Sequence, residues 1–276
     1  MLKLRLITAV VLLAIILPLL FYSDPRPFVA VTLCMLGAGA WEWARLNQLG
    51  GYFSIVLSLL FSLFLIVTWL FFDFQIPGYF WWIFAGIWLL AVPTQLMSRI
   101  EKWQKVPLFL RLTAGLFSLM LAWVAMAQAR LTGTNFLLSI FALVWVADVA
   151  AYFGGRKFGR YKLAPSISPG KTWEGVISGL VGVLLISALW ILMDTYQNPE
   201  SKSFYYLLFS KYPIGCWFIF LCLVGVSVAG DLFESLVKRS VGVKDSSNLL
   251  PGHGGILDRI DALIPVLPLA TLFLML

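Results

Sequence analysis

Charged side chains are scarce in this chain. They make up 12% of its 276 residues, about half the roughly 25% found in soluble domains, so a water-facing surface of ordinary extent cannot be built from it. Histidine occurs once and cysteine three times. Cys34, Cys216 and Cys222 each fall in an apolar run without CxxC spacing, which excludes a disulfide framework or a zinc site and reads them as buried thiols. A complete P-loop is missing too: Gly170-Lys171-Thr172 has the ending of one, but Pro165 stands where a glycine is required. There is no internal repeat, no low-complexity tract and no linker.

What the chain has in excess is grease. Hydrophobic residues reach 61% and aromatics 16%, and the apolar runs approach the roughly 20 residues needed to span a bilayer as helix. Nine runs are expected to be helices, at about 4–22, 27–44, 52–72, 78–97, 108–127, 135–153, 175–193, 214–234 and 260–276. The fold class expected is therefore all-α, a polytopic membrane bundle. It forms one domain over 1–276, with N-terminal helices to about 130 and a catalytic portion over about 135–276. The second run is the less secure for Glu42 and Arg45 at its end, and the last for Pro265 and Pro268. The first follows Lys3 and Arg5 but is long for a signal peptide and ends without a small-residue cleavage pattern, so a retained helix is expected.

The net charge of +7 suits topology and anionic lipid better than nucleic acid in so apolar a chain. With the N-terminus inside and the C-terminus outside, nine spans put sixteen of the twenty Lys and Arg, from Lys3 and Arg5 through Arg99 to Arg259, on the cytoplasmic side. Only Arg26, Arg130, Lys202 and Lys211 fall opposite, as the positive-inside rule requires.

Two loops on that basic side carry the chemistry. The first, from Ala147 through Asp148 and Arg156 to Gly175, is rich in glycine, Lys and Arg, a composition suited to polyphosphate. Ser168, Lys171, Thr172 and Glu174 stand just before and within the start of the next helix, where they serve an anion, a helix cap, or both. Asp148 follows a long apolar run, and an acid so placed is costly unless paired. Gly175 and Gly179 read as helix packing. In the second loop, helical spacing sets Asp231, Ser235 and Lys238 on one face, and Asp258 and Asp261 on the next. Carboxylates gathered at a membrane surface are the usual companions of magnesium in phosphoryl chemistry. His253 has no obligatory role as a base, because a phosphate monoester is already largely dianionic near neutrality.

Residues 235–261 read SLVKRSVGVKDSSNLLPGHGGILDRID, which resembles the signature of the phosphatidate cytidylyltransferases, also called CDP-diacylglycerol synthases. SPGKTWEG at 168–175 and GRKFGR at 155–160 are similar to the same family. One departure is Val149 and Ala150 after Asp148, where the family pattern has Thr or Ser and then Gly. The resemblance implies an inner-membrane enzyme with its site at the cytoplasmic face, converting CTP and phosphatidic acid to CDP-diacylglycerol and pyrophosphate with Mg2+ as cofactor. It carries the metal-binding acids onto Asp231 and Asp258. Lys238, Arg239, Lys244, Asp245, His253, Arg259 and Asp261 become catalytic candidates. Asp148, Arg156, Ser168, Lys171, Thr172, Glu174 and Ser235 become substrate-binding ones. The expected partners are CTP, phosphatidic acid and the bilayer; a homodimer is left open. Rival readings are another CTP-dependent lipid cytidylyltransferase, a polyprenol kinase, or a transporter.

Overall fold

The computed structural model describes residues 2–98 and 100–276, with the side chains of 2–5 and 72 left aside. Arg99 and the side chains of Lys3 and Arg5, all assigned to the basic side, lie outside what is described. Helices fill all nine expected stretches. They are α1 (Leu2–Phe21), α2 (Arg26–Leu46), α3 (Gly51–Phe72), α4 (Gly78–Gly86) running through a π-helical turn at Ile87–Ala91 into α5 (Val92–Leu96), α7 (Leu108–Thr132), α8 (Thr134–Phe158), α9 (Trp173–Gln197), α11 (Gly215–Ser240) and α13 (Leu263–Met275). Short helices α6 (Lys102–Lys105), α10 (Phe204–Lys211) and α12 (Leu257–Ile260) sit between them. Among the described residues, seven helices are long and apolar enough to cross a membrane; the apolar stretch Leu6–Phe21 and α13 are shorter.

Small residues set the closest helix contact. α8 and α9 run antiparallel, with Gly154 against Ser178, Gly179 against Ala147 and Gly182 against Ala150. A Cβ added at Gly179 would lie 2.9 Å from the Ala147 carbonyl oxygen, so the pair at Gly175 and Gly179 does pack helices. Gly133 turns the chain between α7 and α8 at φ +148°, with Ser201 pressed against it. A second centre is aromatic. Trp43, Trp88 and Trp103 surround Phe233, with ring centroids 6.3, 5.8 and 5.2 Å from it. This cluster fixes α11 against α2, the π turn and α6.

Two expectations change. The first polar loop is mostly helix: α8 continues through Phe158, so Arg156 and Lys157 occupy its last turn and Asp148 lies about three turns inside. Beyond α8 the chain forms a hairpin of β1 (Lys162–Ala164) and β2 (Ser168–Thr172), pairing Lys162 with Thr172 and Ala164 with Ser168. The cysteines are not all buried: Cys216 is, but Cys34 is exposed on the bundle's outside and Cys222 is intermediate.

Hydrogen bonds define the two ends of the bundle. At one, Thr8 meets Pro251, Gln104 meets Ser240, and Tyr161 meets Glu174. At the other, Arg130 meets Tyr22, Asn135 meets Asp194, and Lys211 meets Leu274. The hairpin and the 241–256 loop share the first end, and Lys202 and Lys211 the second.

Candidate active site

α11 delivers the first set of acids. Helical spacing brings Ser235 Oγ to Asp231 Oδ1 at 3.4 Å, and places Glu234 one turn before Lys238. Asp231 is one-third exposed and meets an ion from a different element, Lys171 Nζ of the hairpin, at 2.6 Å. The hairpin itself is fixed at its end, where Thr172 Oγ1 accepts from Gly175 N at 3.2 Å as the N-cap of α9. Glu174, in the first turn of α9, accepts from Tyr161 N at 3.2 Å. A capping role and a charge-presenting role are thus combined in one segment.

Asp258 lies deeper. Its Oδ1 meets Lys238 Nζ at 2.5 Å, and its Oδ2 accepts from Gly255 N, Ser246 N and Ser246 Oγ at 2.8, 2.9 and 2.9 Å. Burial pushes this carboxyl up, but Lys238 and the Gly255 and Ser246 N–H donors outweigh burial and hold it below the usual carboxylate range. Lys238 also touches Glu234, so one ammonium is shared between two buried carboxylates. Asp261 accepts from Ala262 N at 2.8 Å and lies within electrostatic reach of Asp231, Lys238 and Lys171. Gly230 makes this possible, because a Cβ there would lie 2.6 Å from the Asp261 carbonyl oxygen. Asp148, from inside α8, is in the field of Lys171 and Asp231. The two loops singled out in the sequence therefore converge on one constellation.

Other candidates stand at its edge. Arg239 donates to Val243 O at 3.0 Å and stays exposed, closing the end of α11 rather than facing the acids. Arg259 donates to His253 O at 3.0 and 2.6 Å. His253 keeps its Nδ1 buried without a hydrogen-bond partner. Lys244 and Asp245, with Ser246, Ser247 and Arg45, line an open hollow of about 750 Å³ beside the Asp258 loop. Ser168 opens β2, and Arg156 lies in the last turn of α8. Val149 is 56% exposed and points away from the bundle, while Ala150 packs on Gly182. The departure from the family pattern thus lies at a helix interface and on the outer surface.

One residue escapes the sequence reading. Glu42, fully buried at the end of α2, accepts from Ser247 Oγ and Ile256 N through Oε1 at 2.5 and 2.9 Å, and from Ser246 Oγ and Leu257 N through Oε2 at 3.1 and 2.8 Å. It organises the loop that in turn cradles Asp258. Its signal is an acid at the end of an apolar span, which counts as a functional candidate by default, although the sequence alone presents it only as a weakness of that span.

The donor set suits a divalent cation that arrives with phosphates. Among the described residues no three His, Cys, Asp or Glu side chains cluster as a metal site. Magnesium, however, takes one or two carboxylates and completes its sphere with substrate phosphate and water. Asp231 and Asp258 each already hold a cation, a lysine ammonium, and Glu234 Oε1 is buried with no hydrogen-bond partner.

Residues 3–276 match the profile of the cytidylyltransferase family. The phosphatidate cytidylyltransferase of Haemophilus influenzae is 36% identical over 298 aligned positions, covering 99% of this chain and 98% of that protein. That of Pseudomonas aeruginosa is 36% identical, covering 97% and 95%. That of Staphylococcus haemolyticus is 41% identical over 148 positions, covering 52% and 51%. A profile match running nearly end to end, and relatives aligned over almost their whole length, place the chain in the cytidylyltransferase family.

Proposed function

We propose that this protein transfers the cytidylyl group of CTP to phosphatidate, leaving CDP-diacylglycerol in the membrane and releasing pyrophosphate. The observation that carries the reading is the meeting of the Lys171–Asp231 pair with the Lys238–Glu234–Asp258 group at one end of an apolar helical bundle. A soluble polyphosphate and a lipid phosphate can meet only at such an end. We place that end at the cytoplasmic face of the bacterial inner membrane, because the basic loops gather there and CTP is cytoplasmic.

In the reaction, a phosphate oxygen of phosphatidate forms a bond to the α-phosphorus of CTP as the bond from that phosphorus to the bridging oxygen of the β-phosphate breaks. The electron pair leaves with pyrophosphate. No base is required to create the nucleophile, so His253 is assigned no proton transfer. Lys171, on the rim of the hairpin, meets the polyphosphate and screens it from the lipid phosphate. Lys244 does the same from the hollow beside the Asp258 loop. Lys238, held between two carboxylates, is a positioning residue that keeps Asp258 ionised and oriented. A bound Mg2+ would be held by Asp231 and Asp258, and would neutralise charge developing on the leaving phosphates. The protein's part is positioning and fixed charge rather than covalent chemistry.

The test is direct. Purified protein in lipid nanodiscs receives CTP labelled in its α-phosphate, phosphatidate and Mg2+. The expected result is label in CDP-diacylglycerol with an equal yield of pyrophosphate, abolished by chelator. Label transferred to another lipid phosphate but not to phosphatidate would overturn the reading.

A further inference from the structure

Two cavities sharing a wall lead from the acids to the flank of the bundle. The inner one, about 60 Å³, has Glu234 and Asp261 in its lining beside Trp43, Trp88 and Phe233. The outer one is a groove of about 540 Å³ between the α4–α5 segment and the start of α7. Ile87, Val92, Trp103, Ala114 and Phe233 belong to both. The groove is open along its length, since Ile83, Ala91, Leu110 and Thr113 in its walls are exposed. The π-helical turn contributes Ile87 and Ala91, and single π turns inside helices often mark functional sites.

Shape and polarity together say what fits. From Phe80 to Gln95 the groove follows one helical segment, which at 1.5 Å per residue is about 22 Å. That exceeds the roughly 15 Å depth of one leaflet's hydrocarbon. Its walls are apolar apart from Thr113 and one end, where Gln95, Trp103 and Arg111 leave buried polar atoms unmatched. Arg111 is 6% exposed, and its Nη1 donates to Gln104 Oε1 at 2.8 Å. Its Nε and the Nε1 of buried Trp103 have no hydrogen-bond partner. Among the described residues no carboxylate pairs with Arg111. Buried N–H donors, one of them cationic, are costly unless an acceptor reaches them. Gln95 Oε1, in the same lining, is a buried acceptor that also has no partner and so does not reach them; the acceptor comes from outside, on an apolar chain that suits the other walls.

We propose that the groove holds one acyl chain of the lipid phosphate substrate, its ester carbonyl received by Arg111 Nε and Trp103 Nε1. The shared wall at Trp103 and Phe233 then sets the headgroup end of the lipid against α11, the helix that carries Asp231 and Lys238. This inference rests on phosphatidate being the substrate and adds to it the place where the lipid tail is selected.

Ala91→Trp and Thr113→Trp fill the groove from opposite walls. Each is assayed with dioleoyl- and with dihexanoyl-phosphatidate at saturating CTP. The expected result is a loss of tenfold or more in kcat/KM for the long-chain lipid in both variants, with the short-chain lipid within twofold of wild type and KM for CTP unchanged. Short-chain activity also reports that each variant has folded. Equal losses for both lipids, or no loss for either, would overturn the proposal. Arg111→Met is expected to raise KM at least several-fold for both lipids, since both carry esters, and to leave KM for CTP alone; an unchanged lipid KM removes the guanidinium from the site. Failure of the parent reading looks different, because wild-type protein would then make no CDP-lipid from phosphatidate of either length.

Discussion

Replacing Asp231 by Asn removes one charge from a side chain that is one-third exposed, and leaves Lys171 free to turn toward water. Turnover is expected to fall on the order of a hundredfold, comparable to losing one preorganised electrostatic element, with the melting temperature nearly unchanged. Asp258→Asn should cost as much turnover and stability besides. Lys238 keeps Glu234 but loses its other buried carboxylate, and breaking a buried pair costs up to about 3–5 kcal/mol. Melting curves beside Mg2+ titrations of turnover separate the two acids: full activity in either variant sinks its metal assignment, and equal melting temperatures sink the distinction. Glu42→Gln tests the loop rather than the chemistry. A glutamine keeps the volume but turns one of two accepting ends into a donor facing Ser and N–H donors, for a cost of about 1–3 kcal/mol. Limited proteolysis should then cut within 244–256 at protease levels that spare the wild type, and an uncut loop would show that the carboxylate is dispensable.

The contact between α8 and α9 holds Asp148 near the hairpin that carries Lys171, so small residues there bear on activity at a distance. Gly179→Leu would drive a side chain into the backbone of α8 at Ala147. Gly225, in α11, has nothing within 4 Å of an added Cβ, and Gly225→Ala in a helix interior should stabilise by up to about 1 kcal/mol. The leucine variant is expected to lose most activity and several degrees of melting temperature; if it matches Gly225→Ala in both, the packing argument is wrong. This contact is legible in the sequence, as are the helical stretches, because apolar length and small-residue spacing are local signals. The hairpin is not. Gly154 and Gly155 carry the same letters in a phosphate loop as in a helix face packed against Ser178 and Thr172, so the end of α8 reads as loop. Strands of three and five residues leave no periodicity to detect.

At the scale of the molecule, the sixteen-to-four distribution of basic residues predicts which end faces the cytoplasm. Single cysteines introduced as Lys162→Cys and Lys202→Cys in a cysteine-free background should respond oppositely to an impermeant thiol reagent. Lys162→Cys is expected to react only in inverted membrane vesicles and Lys202→Cys only in intact spheroplasts. Reaction of both from one side would undo the orientation. Alternation of charge along the chain is what this expectation rests on, whereas the long-range contacts leave no such signal: nothing in the neighbourhood of Glu42 reveals Ile256, and the pairing of Asp231 with Lys171 joins segments that meet only once the bundle is built.

That separation has a consequence for how the protein is made. Glu42 precedes Ile256, to which its carboxylate is bonded, by 214 residues, which a ribosome working at about 5–20 residues per second takes roughly 10 to 40 seconds to add. Throughout that interval α2 presents an acid at the edge of an apolar span with none of the four donors it will finally hold. A chain that stops short of residue 246 can never satisfy it. Such a chain carries its own mark of incompleteness, an uncompensated carboxylate at the membrane boundary, and should be recognised and degraded by membrane proteases while the full-length protein persists.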